Sequence, residues 1–297
     1  MGIYTHQIVF SKMKVAEKPP RPFLNHMTKI RKFFHLLLND GYSKWIFIIP
    51  SAILLAIFAL PLIALVLRSI NSEFFNNAFS EQAFKALRLS LITSSITTVI
   101  AAILGTPLAY VLARWKIKHK LWLELILDLP IVLPPSVAGL ALLIAFGRRG
   151  LFGSTLTLLG ISLPFTTAAV VLAQTFVAAP LYVRSARIGF SQIDQQLEES
   201  AHVEGANQWQ LFYEVMIPLA GRALASGAIL TWTRALGEFG ATILFAGNLE
   251  GVTQTMPMAI YLGFERNIGV ALALSVVLIF VSIILLMITK KLERHEN

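Results

Sequence analysis

The residues able to do chemistry are few, and most are set in apolar surroundings. Arg234 and Glu238 stand four apart inside the run Ala223–Ala246, a spacing that places both on one helix face and lets them pair. Glu124 and Asp128 repeat that spacing near the start of the run Leu121–Phe146. Carboxylates inside apolar runs serve either as proton relays or as interface groups with basic partners. The neighbouring basic segment Arg114–Lys120 favours the second use. The six histidines (His6, His26, His35, His119, His202 and His295) share no metal-ligand spacing, so no metal site is expected. Cysteine is absent, which removes thiolate metal sites and a disulfide framework. None of the 18 glycines precedes a lysine, so the phosphate-cradling loop G-x-x-x-x-G-K-[ST] is missing. With no nucleophile–base pair either, neither catalysis nor a bound cofactor is expected of this chain.

The elements that must hold these residues are membrane spans. Of 297 residues, 56% are hydrophobic and 14% charged, and the mean hydropathy is +0.70, whereas soluble domains carry about 25% charged residues. A bilayer core of about 30 Å needs roughly 20 apolar residues in a helix. Trp45–Leu67, Leu89–Ala113, Phe165–Val183 and Asn267–Thr289 satisfy that without a charge. Leu121–Phe146 and Ala223–Ala246 satisfy it with the acidic and basic residues named above. Backbone groups in lipid must be satisfied within the segment, so the six spans are helices. The third contains Pro130, Pro134, Pro135 and Gly139 in the run LPIVLPPSVAG. Proline removes a donor and crowds the preceding turn, so this span is expected to kink or to begin afresh there.

The net charge of +9 fits a membrane surface better than nucleic acid, because the basic residues cluster beside spans. With the N-terminus inside, only Arg68, Lys85, Arg88, Arg148, Arg149 and Arg266 fall outside, and Arg234 lies within a span. The rest of the 25 basic residues are then inside, which favours cytoplasmic termini. Residues 1–44 read as a basic cytoplasmic tail drawn to anionic lipid, or as containing the true start at Met27; residues 45–290 form the spanning domain and 291–297 a short inner tail. No signal-peptide pattern precedes Trp45.

The longest inner loop, about 188–218, reads as two short helices at a corner. Asp194 can cap a helix to about Glu204, and Gly205 can end it in the left-handed conformation. Asn207 can cap a second helix, on which Trp209, Phe212, Tyr213 and Met216 recur at i, i+3, i+4 and i+7 as an apolar stripe. Pro218 then opens the next span.

In this loop Glu199-Ser200-Ala201, three residues, Gly205, nine residues and Val215-Met216-Ile217-Pro218 resemble the E-A-A-x3-G-x9-I-x-L-P loop of bacterial ATP-binding-cassette importer permeases. Ser200, Val215 and Ile217 depart from the pattern, each conservatively in size. The runs LPIVLPPSVAG, FGRRGLFG and RALGEFGATILFAGN are similar to the molybdate permeases, with sulfate/thiosulfate and tungstate permeases as near relatives. The similarity spans roughly Phe79 to Lys290. It implies an all-α, six-helix type I importer bundle in the bacterial inner membrane, importing molybdate as a homodimer. It also implies two cytoplasmic ATPase subunits carrying ATP-Mg and an extracytoplasmic molybdate-binding protein. Glu199, Ala201 and Gly205 would form the corner docked on the ATPase, with Trp209, Phe212 and Pro218 carrying it to the span. Pro134, Pro135, Arg234, Glu238 and Phe239 are candidates for the pathway or gate. The Arg234–Glu238 pair is either a structural clamp or a source of positive potential beside the pathway. Arg148 and Arg149 either attract the dianion at the outer mouth or anchor the interface. An ion-coupled secondary transporter is the rival class, but no internal repeat accompanies the few internal acids.

Overall fold

The computed structural model describes residues 42–295, with side chains from 44 to 287. The expected tail lies, up to residue 41, outside the described residues. Helix α1 (Tyr42–Ser69) is followed by α2 (Phe74–Ala78), α3 (Glu81–Arg114), α4 (Lys120–Val132), α5 (Pro135–Phe146), α6 (Gly153–Leu158), α7 (Thr167–Gln192) and α8 (Gln195–Val203). Then come α9 (Gln208–Leu236), α10 (Gly240–Ala246), α11 (Met256–Arg266) and α12 (Ile268–His295). No strand occurs among the described residues. Helices α1, α3, α7, α9 and α12 are long and apolar enough to cross a membrane, and the pair α4–α5 makes six if counted as one bent span.

The chain divides into two units, and the second begins at Leu65, within α1. Along α1 most apolar side chains, among them Phe47, Leu55, Phe58 and Leu67, are exposed within their own unit. In the second unit α3, α7 and α9 pack together as the centre. Small residues let these helices approach closely, as membrane packing requires: a Cβ on Gly105 would fall 2.8 Å from the Tyr182 ring, and one on Gly227 would fall 3.0 Å from Ser185 Cβ. Hydroxyls then bond across the seam. Thr106 and Tyr182 are 2.6 Å apart, Ser185 donates to the Ala223 carbonyl at 2.8 Å, and Thr97 donates to Gln174 at 3.1 Å.

The third span begins afresh at its prolines, one of the two outcomes expected: α4 ends at Val132, Pro134 is extended (φ −52, ψ 135), and α5 starts with Pro135 in its first turn. The two halves lie at 116°. A proline costs nothing at a helix start, where its missing donor has no partner to lose, so Pro134-Pro135 restarts the helix. The fifth span does not run unbroken to Ala246. Helix α9 stops at Leu236, residues 237–239 are non-helical, and α10 resumes at Gly240. Helix α11 was not foreshadowed by any apolar run. It forms a hairpin with α12, and a Cβ on Gly263 would fall 2.9 Å from the Ala271 backbone nitrogen.

Candidate functional site

Two regions carry the candidate residues: the loop between α7 and α9, and the adjoining breaks of the third and fifth spans. In the loop, the Asp194 carboxylate accepts from the Gln196 N–H at 3.0 Å and starts α8. Gly205 takes φ +88 just beyond its end, the left-handed stop that glycine adopts without strain. The Ala206 N–H then closes back on the Ala201 carbonyl at 2.9 Å. Asn207 caps α9: its Oδ1 accepts from the Trp209 and Gln210 N–H groups, each at 3.0 Å. The Gln210 Oε1 accepts in return from the Asn207 N–H at 2.9 Å, a reciprocal capping box.

The apolar stripe does not form as expected. Leu211–Met216 is π-helical and continuous with the span, so α9 enters the membrane as one rod from Gln208. The wider turn rotates the side chains apart. Leu211, Phe212 and Met216 are buried, with the Phe212 ring 5.0 Å from that of Tyr110 on α3, which itself lies 5.6 Å from Phe190 on α7. Trp209 and Tyr213 stack 5.8 Å apart on the other side and are 70% and 58% exposed. Helix α8 buries no residue. Glu199 is exposed, bonded only locally by Gln195 at 3.2 Å. Around Gly205, an added Cβ would meet nothing within 4 Å. Glycine is needed there for its backbone, and the corner beside it is open.

One residue that motif reading passed over holds this loop. Arg114, the last residue of α3, places Nε 2.8 Å from Glu198 Oε1 and donates from Nη2 to the Ile193 carbonyl at 2.5 Å. Glu124 also finds a basic partner, Arg187 on α7, at 2.5 Å, with Lys120 at 3.9 Å.

The second region joins the two breaks. A Cβ on Gly139 of α5 would fall 2.7 Å from the Ala241 carbonyl of α10, and one on Gly240 would fall 2.5 Å from Pro135 Cβ. Pro135 is therefore brought against Gly240, the residue after Phe239. Arg234 Nη1 lies 2.6 Å from Glu238 Oε2, so the pair exists, but Glu238 sits past the helix end. Its other oxygen accepts from the Ala241 N–H at 2.9 Å, which starts α10. Glu238 is 1% exposed, and these two contacts supply the partners a buried carboxylate requires. Phe239 faces Tyr261 at 5.2 Å beside an apolar cavity of about 420 Å³ lined also by Phe264 and Leu272. Arg148 and Arg149 are exposed on a tight turn, in which the Leu151 N–H bonds the Ile144 carbonyl at 2.9 Å. They are not gathered with Arg234 in any described contact.

Residues 101–295 match the family model "binding-protein-dependent transport system inner membrane component". The chain belongs to that family. The matched stretch contains the α7–α9 loop and both breaks. Among relatives, the permease is 40% identical over 239 residues to the molybdenum transport system permease protein ModB of Mycobacterium tuberculosis, covering 80% of this chain and 90% of that one. It is 36% identical over 218 residues to ModB of Escherichia coli K12, covering 72% and 95%. It is also 37% identical over 270 residues to the probable transport system permease protein NifC of Clostridium pasteurianum, covering 87% and 94%. A subunit of a bacterial ABC transporter that imports alginate shares the fold, with TM-score 0.72 at 17% identity over 89% of this chain and 99% of that one. A MetNI methionine transporter chain does so with TM-score 0.56. The permease is thus a type I importer membrane subunit with several spans in the inner membrane. It is not catalytic, and ATP hydrolysis belongs to a separate chain.

Proposed function

We propose that this permease is the membrane-spanning subunit of an ATP-driven molybdate importer. It works as a homodimer with two cytoplasmic ATPase subunits, which hold ATP-Mg, and an extracytoplasmic molybdate-binding protein. The observation that carries this reading is the likeness, over 72–80% of this chain, to molybdenum permeases from different bacteria. Tungstate is the second reading, supported by 33% identity over 70% of this chain to a molybdate/tungstate permease protein of Thermococcus kodakarensis. Sulfate and thiosulfate are the remaining competitors.

Both termini are cytoplasmic in this account, so the α7–α9 loop faces the ATPase. Exposed Glu199, the partly covered Ala201 and the open corner at Gly205 form the docking surface. Trp209 extends it, while buried Phe212 carries movement along α9; Pro218 lies inside that helix and, against expectation, does not open a new span. The joined breaks at Pro134-Pro135 and Glu238-Phe239 form the gate, opened as packed units rock against one another. Arg148 and Arg149 attract the dianion at the outer mouth.

Reconstituted in liposomes with its ATPase and binding protein, the permease should accumulate molybdate only when ATP-Mg is supplied. Tungstate should compete strongly, and sulfate at least tenfold more weakly. Uptake driven by an ion gradient without ATP, or a preference for sulfate, would overturn the reading.

A further inference from the structure

Helix α8 has little apolar hold on the rest of the protein beyond Ala201, which packs against the cluster around Tyr110 and Phe212. It buries no residue along Gln195–Val203, and two of its apolar side chains, Leu197 and Val203, are 47% and 88% exposed. A helix held so loosely would swivel at its ends when pushed, and would pass little displacement to the spans. A charged fork removes that freedom. Arg114 reaches both the Glu198 carboxylate, one turn into α8, and the Ile193 carbonyl in the turn that leads into it. The hold on the Ile193 carbonyl is a hydrogen bond from Nη2, whereas that on Glu198 is an ion contact at 2.8 Å whose two atoms make no hydrogen bond. A planar guanidinium can serve both at once, whereas an ammonium acts as a single point. The Arg114 and Glu198 side chains are only 14% and 16% exposed, so their attraction is less screened than that of a surface pair. One turn earlier on the same helix, Tyr110 packs on Phe212 at the start of α9. The last two turns of α3 therefore hold the loop on both sides of the Gly205 corner.

We propose that Arg114 is a positioning residue for coupling: through Glu198 and the Ile193 carbonyl it fastens α8 to α3, so that displacement of α8 moves the spans. The proposal rests on the transport reading above and adds a linkage that the loop motif does not contain. Helix α3 suits this role because it is the longest described helix and packs on both α7 and α9. Removing the fork should leave the docking corner at Glu199–Gly205 in place, since its caps and turn bonds are local. The ATPase would still bind and hydrolyse, but its strokes would be lost in α8.

The test uses the absence of cysteine from the chain. In the complete complex in liposomes, anion delivered per ATP hydrolysed is measured for wild type, Glu198→Gln, and Arg114→Cys/Glu198→Cys before and after bridging with a short bis-maleimide. Glu198→Gln and the unbridged double variant should deliver at least fivefold less anion per ATP, with ATPase subunits still co-purifying and hydrolysis retained. Bridging should restore the ratio to within twofold of wild type, because a covalent strut replaces the ionic one. An unchanged ratio without the bridge would overturn the proposal, as would failure of the bridge to restore it. Parallel loss of hydrolysis and uptake, or loss of the ATPase on purification, would also overturn it, since the residue would then only hold the fold. If wild type delivers a different oxyanion, the molybdate reading falls and the ratio is read with that anion.

Discussion

The α7–α9 loop and the paired span breaks both interrupt straight helices, yet they solve the interruption in opposite ways. In the loop the chain turns at Gly205 into open space, and α8 offers exposed polar faces with no buried residue. At the breaks, Glu238 is buried and spends one oxygen on Arg234 and the other on the Ala241 N–H, while glycines bring α5 and α10 into backbone contact. The loop leaves an open, exposed surface. The breaks are complete within one chain, as irregular backbone at membrane depth has to be. Substitutions in the loop surface should therefore spare the isolated permease and harm the complex, whereas substitutions at the breaks should harm both.

The largest expected effect sharpens where the loop stops being surface. Phe212 belongs to the loop by motif but to the interior by contact, so Phe212→Ala should cost about 3 kcal/mol, in the range of buried aromatic truncations. It should be visible as a lower melting temperature of the purified subunit in detergent. Glu238→Gln comes next. Breaking a buried ion pair costs about 3–5 kcal/mol, but Arg234 is 35% exposed, so about 2–3 kcal/mol is expected, with uptake reduced alongside. Normal melting and normal uptake would remove any need for the pair. Gly139→Ala should cost about 1–2 kcal/mol, because overpacking against the Ala241 carbonyl outweighs the gain in helix propensity. Trp209→Ala should change melting by less than about 0.5 kcal/mol, as surface substitutions do. It should nevertheless weaken retention of the ATPase subunits in a pull-down; a clear loss of stability would move Trp209 from the surface to the interior.

Much of this division was legible in the residues themselves, and the failures have physical causes. Apolar runs marked the five span-length helices and the bent α4–α5 pair because lipid imposes length and composition locally. The cap at Asp194, the stop at Gly205 and the cap at Asn207 were readable because each acts within a few residues. The Arg234–Glu238 contact was anticipated at the right spacing but on an unbroken helix. In fact the helix ends at Leu236 and the carboxylate turns to start α10, and composition does not record that choice. The stripe through Trp209 and Tyr213 failed because the π-helical segment changes the period on which the stripe was drawn. Helix α11 was missed because its 11 residues are too few for a span. The Arg114–Glu198 fork joins residues far apart in sequence, and nothing near either one announces the other.

The central claim is that the corner at Gly205 is the surface through which a separate ATPase drives transport, and Gly205→Trp tests it most directly. The residue's side-chain direction is open, so the subunit should still fold, with about 1–2 kcal/mol of local strain from the left-handed backbone. In liposomes containing the full complex and the binding protein, ATP hydrolysis and molybdate uptake are measured together. Uptake per ATP reduced at least tenfold, in a subunit of near-normal melting temperature, is the predicted result. Hydrolysis and uptake tied in the wild-type ratio, with the bulky ring in place, would contradict the account.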